Sequence, residues 1–247
     1  MKMTQQPSPN NNAGRQGQIP DFIVCHITGG SFTSALNTIA NRNNQVSYHF
    51  VVSGRGEIVQ AVDIADTAWA NGTTNSGDNR DNRHSTIPEV RNRRRNANQY
   101  TVSIGFADSH NGALTPVQLL AGVDLIWHIR NEVQKLFGHE IPMTRTRIVG
   151  HHEITPITRA FCPGPQFPWD EIIRRLGDIE AYENGAYVVN EQDVSHPGTP
   201  TPSSWAREAW AWGRKLGLTD GTNPQGTPTR EQMVTLLHRY HMAVRKM

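Results

Sequence analysis

Two histidines and a cysteine in this chain have the chemistry of a zinc site. The stretch "IVGHHEITPITRAFCPGPQFPW" (148–169) follows an apolar run with His151 and His152, then sets Cys162 in a Pro/Gly turn. An imidazole and a thiolate supply two of the three protein ligands of a catalytic zinc, so a third must come from elsewhere. His26 closes the apolar run "DFIVCHIT" (21–28), and His151 follows "RIVG" (147–150). Both are expected at strand ends, where the sheet fixes the backbone and the side chain projects into the mouth above it. His26, His151 and Cys162 would leave zinc's fourth tetrahedral position to water, which then ionises near a pH of about 7. His152 competes with His151 for the ligand role, since neighbours on a strand point to opposite sides. Cys25 alternates away from His26 in the same way and reads as a small core residue. The chain has eleven histidines, and those outside these positions are read as structural or surface groups.

For such ligands to meet, the chain needs a scaffold of strands. Residues 1–20 are polar, rich in Gln, Asn and Pro, and predict an extended lead-in. "DFIVCHIT" reads as a buried strand and "SALNTIANRNN" (34–44) as a short helix. "SYHFVVSGRGEIVQAV" (47–62) has the pattern of a hairpin turning at Ser-Gly-Arg-Gly, and "YTVSIGFA" (100–107) is a further strand. Residues 70–99 hold almost nothing apolar and carry "RNRRRNANQ" (91–99). That run reads as an exposed insertion with a solvated charge face, with contact to an anionic polymer as the alternative.

A long helix is predicted from Thr115, with Thr115 as N-cap, Pro116 at the first helical position and Gln118 completing a capping box. Leu119, Leu120, Val123, Ile126 and Trp127, continued by Val133, Leu136 and Phe137, give it one apolar face, and Gly138 ends it. "PWDEIIRRL" (168–176) is a closing helix. Strands and helices alternating in this way imply an α/β layered domain.

Composition sets the outer bounds. The chain has 247 residues, room for one sizeable core or for a domain plus a small module. Apolar residues at 36% and charged ones at 19% are those of a globular protein, which excludes a disordered chain. The net charge of +2 suits a polyanionic surface without requiring one. No run approaches the roughly 18–20 apolar residues of a membrane span. Residues 1–18 lack the apolar core of a signal peptide, so the expectation is synthesis in a host cytoplasm and passage to the wall by a holin-type route. The arginines of 91–95 lack interleaved aromatics, so no nucleic-acid partner is expected. Two cysteines make no disulfide scaffold and remain available for metal.

Past residue 180 the texture changes. A linker is expected over 181–203, and beyond it a helical module over 204–247. Trp205, Ala209, Trp212 and Leu216 step by four, three and four, and a Thr229–Gln232 capping box opens a second amphipathic helix. About 44 residues fold marginally by themselves, so a docking or wall-contact role is expected.

The pieces "VCHIT", "SYHFVVSGRGEIVQAV", "AWANG", "VSIGF", "TPVQLLAG" and "GHHEI…CPGPQFPW" resemble, in order and over about residues 20–176, the type 2 N-acetylmuramoyl-L-alanine amidases. This family includes zinc amidase lysozymes of bacteriophages and is related to the peptidoglycan recognition proteins. The resemblance implies a central mixed β-sheet flanked by helices, a zinc amidase domain over 21–180, and zinc held by His26, His151 and Cys162. It implies hydrolysis of the amide between the lactyl group of N-acetylmuramic acid and the L-alanine of the stem peptide in bacterial peptidoglycan. Tyr48, before "HF", matches the family tyrosine, which the resemblance implies hydrogen-bonds the zinc water or the tetrahedral oxyanion. Arg159 is expected in the place of the family's lysine, with Thr158 as fallback, and Trp69 of "AWANG" is a candidate for lining the groove.

One branch carries a glutamate after "IG" plus an apolar residue. Here Ala107 stands there, and Asp108 is expected to face the opposite way. Residues 204–247 resemble a single S-layer-homology repeat, which implies a secondary cell-wall polymer as partner, or a homo-oligomer formed through the module. The functional expectation is an endolysin, with a host autolysin or a binding-only recognition protein as alternatives.

Overall fold

A computed structural model describes residues 3–72 and 82–183 together with Trp210. Among the described residues eight strands form, all within the first of two compact units, 1–177. They are β1 (Met3–Gln5), β2 (Asn11–Asn12), β3 (Phe22–Ile27), β4 (Phe50–Val52), β5 (Ile58–Gln60), β6 (Thr67–Ala68), β7 (Thr101–Phe106) and β8 (Ile148–Gly150). Six of them make one sheet in the order β1-β5-β4-β7-β3-β8, and β2 pairs with β6 beside it. Only β4–β5 is antiparallel within the large sheet, because only that pair is joined by a tight turn. The rest pair in parallel, so the sheet is mixed, as expected. Its central strands β3 and β7 are buried along nearly their whole length, the signature of a sheet covered on both faces.

Within the described part of residues 3–183, local signals set the α-helices α1 (Phe32–Ala40), α2 (Pro88–Arg93), α3 (Pro116–Phe137), α4 (His151–Ile154) and α5 (Trp169–Glu183). Ser31 caps α1 by accepting from the Ser34 N–H, so that helix begins ahead of the expected 34–44 and ends before it. Ala35 and Ile39 of α1 pack on Val51 and Ala107. Across the sheet, Gly122 of α3 lies against the Phe106 ring, where a Cβ would meet it at 2.8 Å.

Thr115 does cap α3, accepting from the Gln118 N–H, and Gly138 ends it at φ 64°. The capping box is a correction, however. Gln118 sends its amide into the sheet instead, donating to the Val52 and Ala107 carbonyls at 3.1 and 2.6 Å. A buried amide donor must find acceptors, and two strand-end carbonyls within reach serve it better than its own helix end. The apolar face is rotated as well. Ala121, Leu125 and Ile129 lie inside, while Leu120 and Leu136 are exposed.

The N-terminal segment is more than a lead-in. β1 adds to the sheet edge through β5, and Arg15 is buried with its guanidinium on the Ile64, Gln99 and Thr101 carbonyls. The 91–95 run is likewise only partly a solvated face. Val90 and Ala97 join Phe22 and Tyr100 in a core cluster, and Arg93 stacks over the Tyr100 ring while pairing with Asp21. Among the described residues no helix is long and apolar enough to cross a membrane. The second compact unit covers 178–247. Residues 181–183 of the expected linker continue α5; the rest of it and the 204–247 module lie outside the described residues apart from Trp210.

Candidate metal centre

Three strands and one turn build the site. β3 carries His26 between β7 and β8, in register with Gly105. β8 ends at Gly150, and the chain turns at once into α4, placing His151 at the first helical position. Glu153 holds that turn: its carboxylate accepts from the Gly150 N–H at 2.7 Å and pairs with Arg145. The return through 155–162 brings Cys162 back, with its N–H donating to the Arg159 carbonyl.

The result is one cluster. His26, His151 and Cys162 offer ligand atoms that all lie within 4.8 Å of one another, and among the described residues no other such group of three exists. The two Nδ1 atoms face each other at 2.9 Å. Both imidazoles are buried, at 1% and 3% exposure. A tetrahedral zinc with bonds of about 2.0–2.3 Å would set its ligand atoms about 3.3–3.7 Å apart. With one pair at 2.9 Å and all three atoms within 4.8 Å, small side-chain shifts reach that span. The donor set of two imidazoles and a thiol is one zinc favours, so the residues fit the metal.

Electrostatics agree with the ligand chemistry. Burial pulls His26 well below its ordinary value, with His151 and the Arg159 charge adding to the effect. Burial likewise takes His151 down to about 4, against the Asn71 backbone carbonyl. Both rings are therefore neutral near pH 7, as ligands must be. Burial pushes the Cys162 thiol up to about 11, opposed by the Ile27 N–H and by Arg159. With no cation bound it stays a thiol.

Tyr48 stands against this cluster, its ring tilted on His26 with centroids 5.2 Å apart. The space it occupies exists because position 105 is glycine. A Cβ there would lie 2.9 Å from Tyr48 Cδ2 and 3.1 Å from Thr28 Cγ2. Burial raises the phenol's ionisation, and the nearby Cys162 raises it further, so its O–H stays a donor. Arg159 is exposed, with its guanidinium on the neighbouring Thr158 carbonyl. Its charge nonetheless reaches His26, His151, Tyr48 and Cys162, lowering each.

The remaining candidates make contacts of their own. Trp69 is half-buried and donates its indole N–H to Asn12 Oδ1 at 2.5 Å, which ties it to β2. Ala107 is buried and supplies no carboxylate. Asp108 is not on a strand at all. At φ 57° it leaves β7, and its carboxylate accepts the Phe32 and Gly54 N–H groups. Cys25 is fully buried and is not one of the three grouped ligand residues. His152, the competitor of His151, turns its Nδ1 onto the Cys162 carbonyl. Glu153 and Gly105 were missed from the sequence. The spacing of Gly150 and Glu153, an N-cap with Glu three residues on, carried the first signal.

Comparison with known proteins adds a family. The profile described as N-acetylmuramoyl-L-alanine amidase matches residues 16–165. Among solved structures, a mutant of PlyL is 16% identical with a TM-score of 0.50, covering 72% of this chain and 99% of its own. A selenomethionine derivative of AmpD is 22% identical (TM-score 0.48, 70% and 93% covered). The N-acetylmuramoyl-L-alanine amidase LysC from Clostridium intestinale URNW is 18% identical (TM-score 0.43, 72% and 98% covered). At such identity the PlyL match speaks for the fold alone. No curated protein sequence matches the chain significantly.

Proposed function

This chain belongs to the N-acetylmuramoyl-L-alanine amidase family, and from that premise we propose that it is an endolysin-type, zinc-dependent amidase of bacterial peptidoglycan. The bond cut is the amide joining the lactyl group of N-acetylmuramic acid to the L-alanine of the stem peptide. The observation that carries the metal part of this reading is the convergence of His26, His151 and Cys162 within 4.8 Å.

His26 and His151 would hold the metal through neutral imidazoles, and Cys162 would give up its proton on loading. Zinc so held supplies Lewis-acid polarisation and a place where water ionises near neutral pH. The other roles belong to the chain. Tyr48 keeps its hydroxyl hydrogen and offers it to the oxygen on which charge develops. Arg159 adds positive potential over the same oxygen. The walls of the site, closed by Tyr48 and the buried imidazoles, keep bulk water from screening these interactions. With Ala107 at the place of one branch's glutamate, no carboxylate base is used.

Residues 204–247, by their likeness to an S-layer-homology repeat, are assigned to wall-polymer contact or to assembly. Removing them should lower pelleting with cell walls while leaving hydrolysis of soluble fragments intact.

The reading is tested by digesting purified peptidoglycan and scoring new L-alanine amino termini against new reducing sugar ends, with and without chelator. Alanine termini that vanish with chelator and return with zinc are expected. New reducing ends would make the protein a glycosidase, and binding without either product would make it a recognition protein.

A further inference from the structure

His152 sits beside a metal-site histidine, yet its own ring does something else. Both of its donors converge on one acceptor. The backbone N–H and the ring Nδ1 each lie 2.9 Å from the Cys162 carbonyl oxygen. A carbonyl can only accept, so Nδ1 carries the hydrogen and both contacts are donations. Cys162 is thereby held at both ends of its peptide frame, with its N–H on the Arg159 carbonyl and its C=O on His152.

The chain makes room for this ring. A Cβ at position 150 would lie 2.6 Å from His152 Cε1 and Nδ1 and 2.9 Å from Pro163 Cδ. The imidazole is thus wedged between the end of β8 and the Cys162–Pro163 turn, a space only glycine leaves open. The backbone of the return also links Cys162 to His151, by the Cys162 N–H on the Arg159 carbonyl, the Arg159 N–H on that of Thr155 and the Thr155 N–H on that of His151. Residues 157–161 are exposed, however, and the His152 ring braces the far end of that return directly against α4.

We propose that His152 is a positioning residue: its ring fastens the Cys162 turn to the start of α4, and so sets the thiol at its distance from the two imidazoles. This rests on the zinc reading above. Partners that orient a metal ligand from behind typically contribute about 10–100-fold in metal affinity, and His152 acts on Cys162 through its backbone in that way.

The test uses the metal-free full chain titrated with cobalt(II), read by the thiolate-to-cobalt charge-transfer band and by competition with a chromogenic chelator. Asparagine places an amide N–H where His152 has Nδ1, whereas glutamine places one where His152 has Nε2. His152→Asn should therefore keep the band and stay near wild-type affinity. His152→Gln and His152→Ala should bind cobalt about 10–100-fold more weakly with a diminished band. Should His152→Ala fail to fold, the Asn and Gln pair decides the matter. Wild-type affinity and band in both His152→Ala and His152→Gln would overturn the proposal. So would equal loss in His152→Asn and His152→Ala, which would make His152 itself a ligand. Absence of the band in wild type would bring down the zinc reading first, and is distinguishable because no variant is then needed to see it.

Discussion

Replacing Arg15 with methionine tests whether the N-terminal segment belongs to the fold that carries the site. Arg15 is 4% exposed, and its guanidinium donates to the Ile64, Gln99 and Thr101 carbonyls and lies 2.9 Å from His49 Nε2. Losing the fork orphans the buried Ile64 and Thr101 carbonyls at about 1–3 kcal/mol each, or about 2–6 kcal/mol together. Relief opposes that loss. Burial pulls the guanidinium down to about 10, so its charge is held at a cost of about 3 kcal/mol that methionine does not bear. The side chain of Met fills much of the same volume, so these two effects leave about −1 to +3 kcal/mol. Loss of the contacts to the Gln99 carbonyl and His49 Nε2 moves the balance to the destabilising side. Lysine should do worse than methionine, because one ammonium keeps the buried charge while meeting fewer carbonyls. Urea unfolding of the full chain, followed by near-ultraviolet circular dichroism at constant slope, measures both. A methionine variant as stable as wild type, or a lysine variant more stable than the methionine one, would refute the reasoning.

Two further outcomes follow from the walls of the site. Gly105→Ala forces Tyr48 and Thr28 out of contacts of 2.9 and 3.1 Å, so stability should fall by about 1–3 kcal/mol. If Tyr48 acts on the oxyanion, kcat for peptidoglycan hydrolysis should drop while KM changes little, which steady-state kinetics on soluble fragments would read. Glu153→Ala orphans the Gly150 N–H and unpairs Arg145, with an expected loss of about 1–3 kcal/mol. A double-mutant cycle with Arg145→Ala should show coupling above about 0.5 kcal/mol, and strict additivity would mean that the pair is idle.

The local chemistry of the chain was legible in advance wherever one residue type has one physical use. Thr115, Pro116 and Gly138 marked the ends of α3 because capping and left-handed termination depend on neighbours in sequence. The apolar runs around residues 22–27, 101–106 and 148–150 marked the strands, and resemblance picked His26, His151 and Cys162 out of eleven histidines and two cysteines. What spacing could not rank was His151 against His152, because the alternation argument assumes a strand. The chain instead turns into α4 at His151, and adjacent helical residues diverge by a different angle, sending His151 into the cluster and His152 to the Cys162 carbonyl. The same holds for Gln118, Arg15 and Gly105. Each is an ordinary polar or small residue until the sheet brings carbonyls within about 3 Å of its donors, or a tyrosine ring into the space a side chain would need. Sequence by itself determined which groups could bind a metal and where the regular elements begin and end, since those rest on short-range backbone physics. Tertiary structure alone decided which groups meet and what holds them there, since burial of polar groups and shared space exist only once distant strands lie side by side.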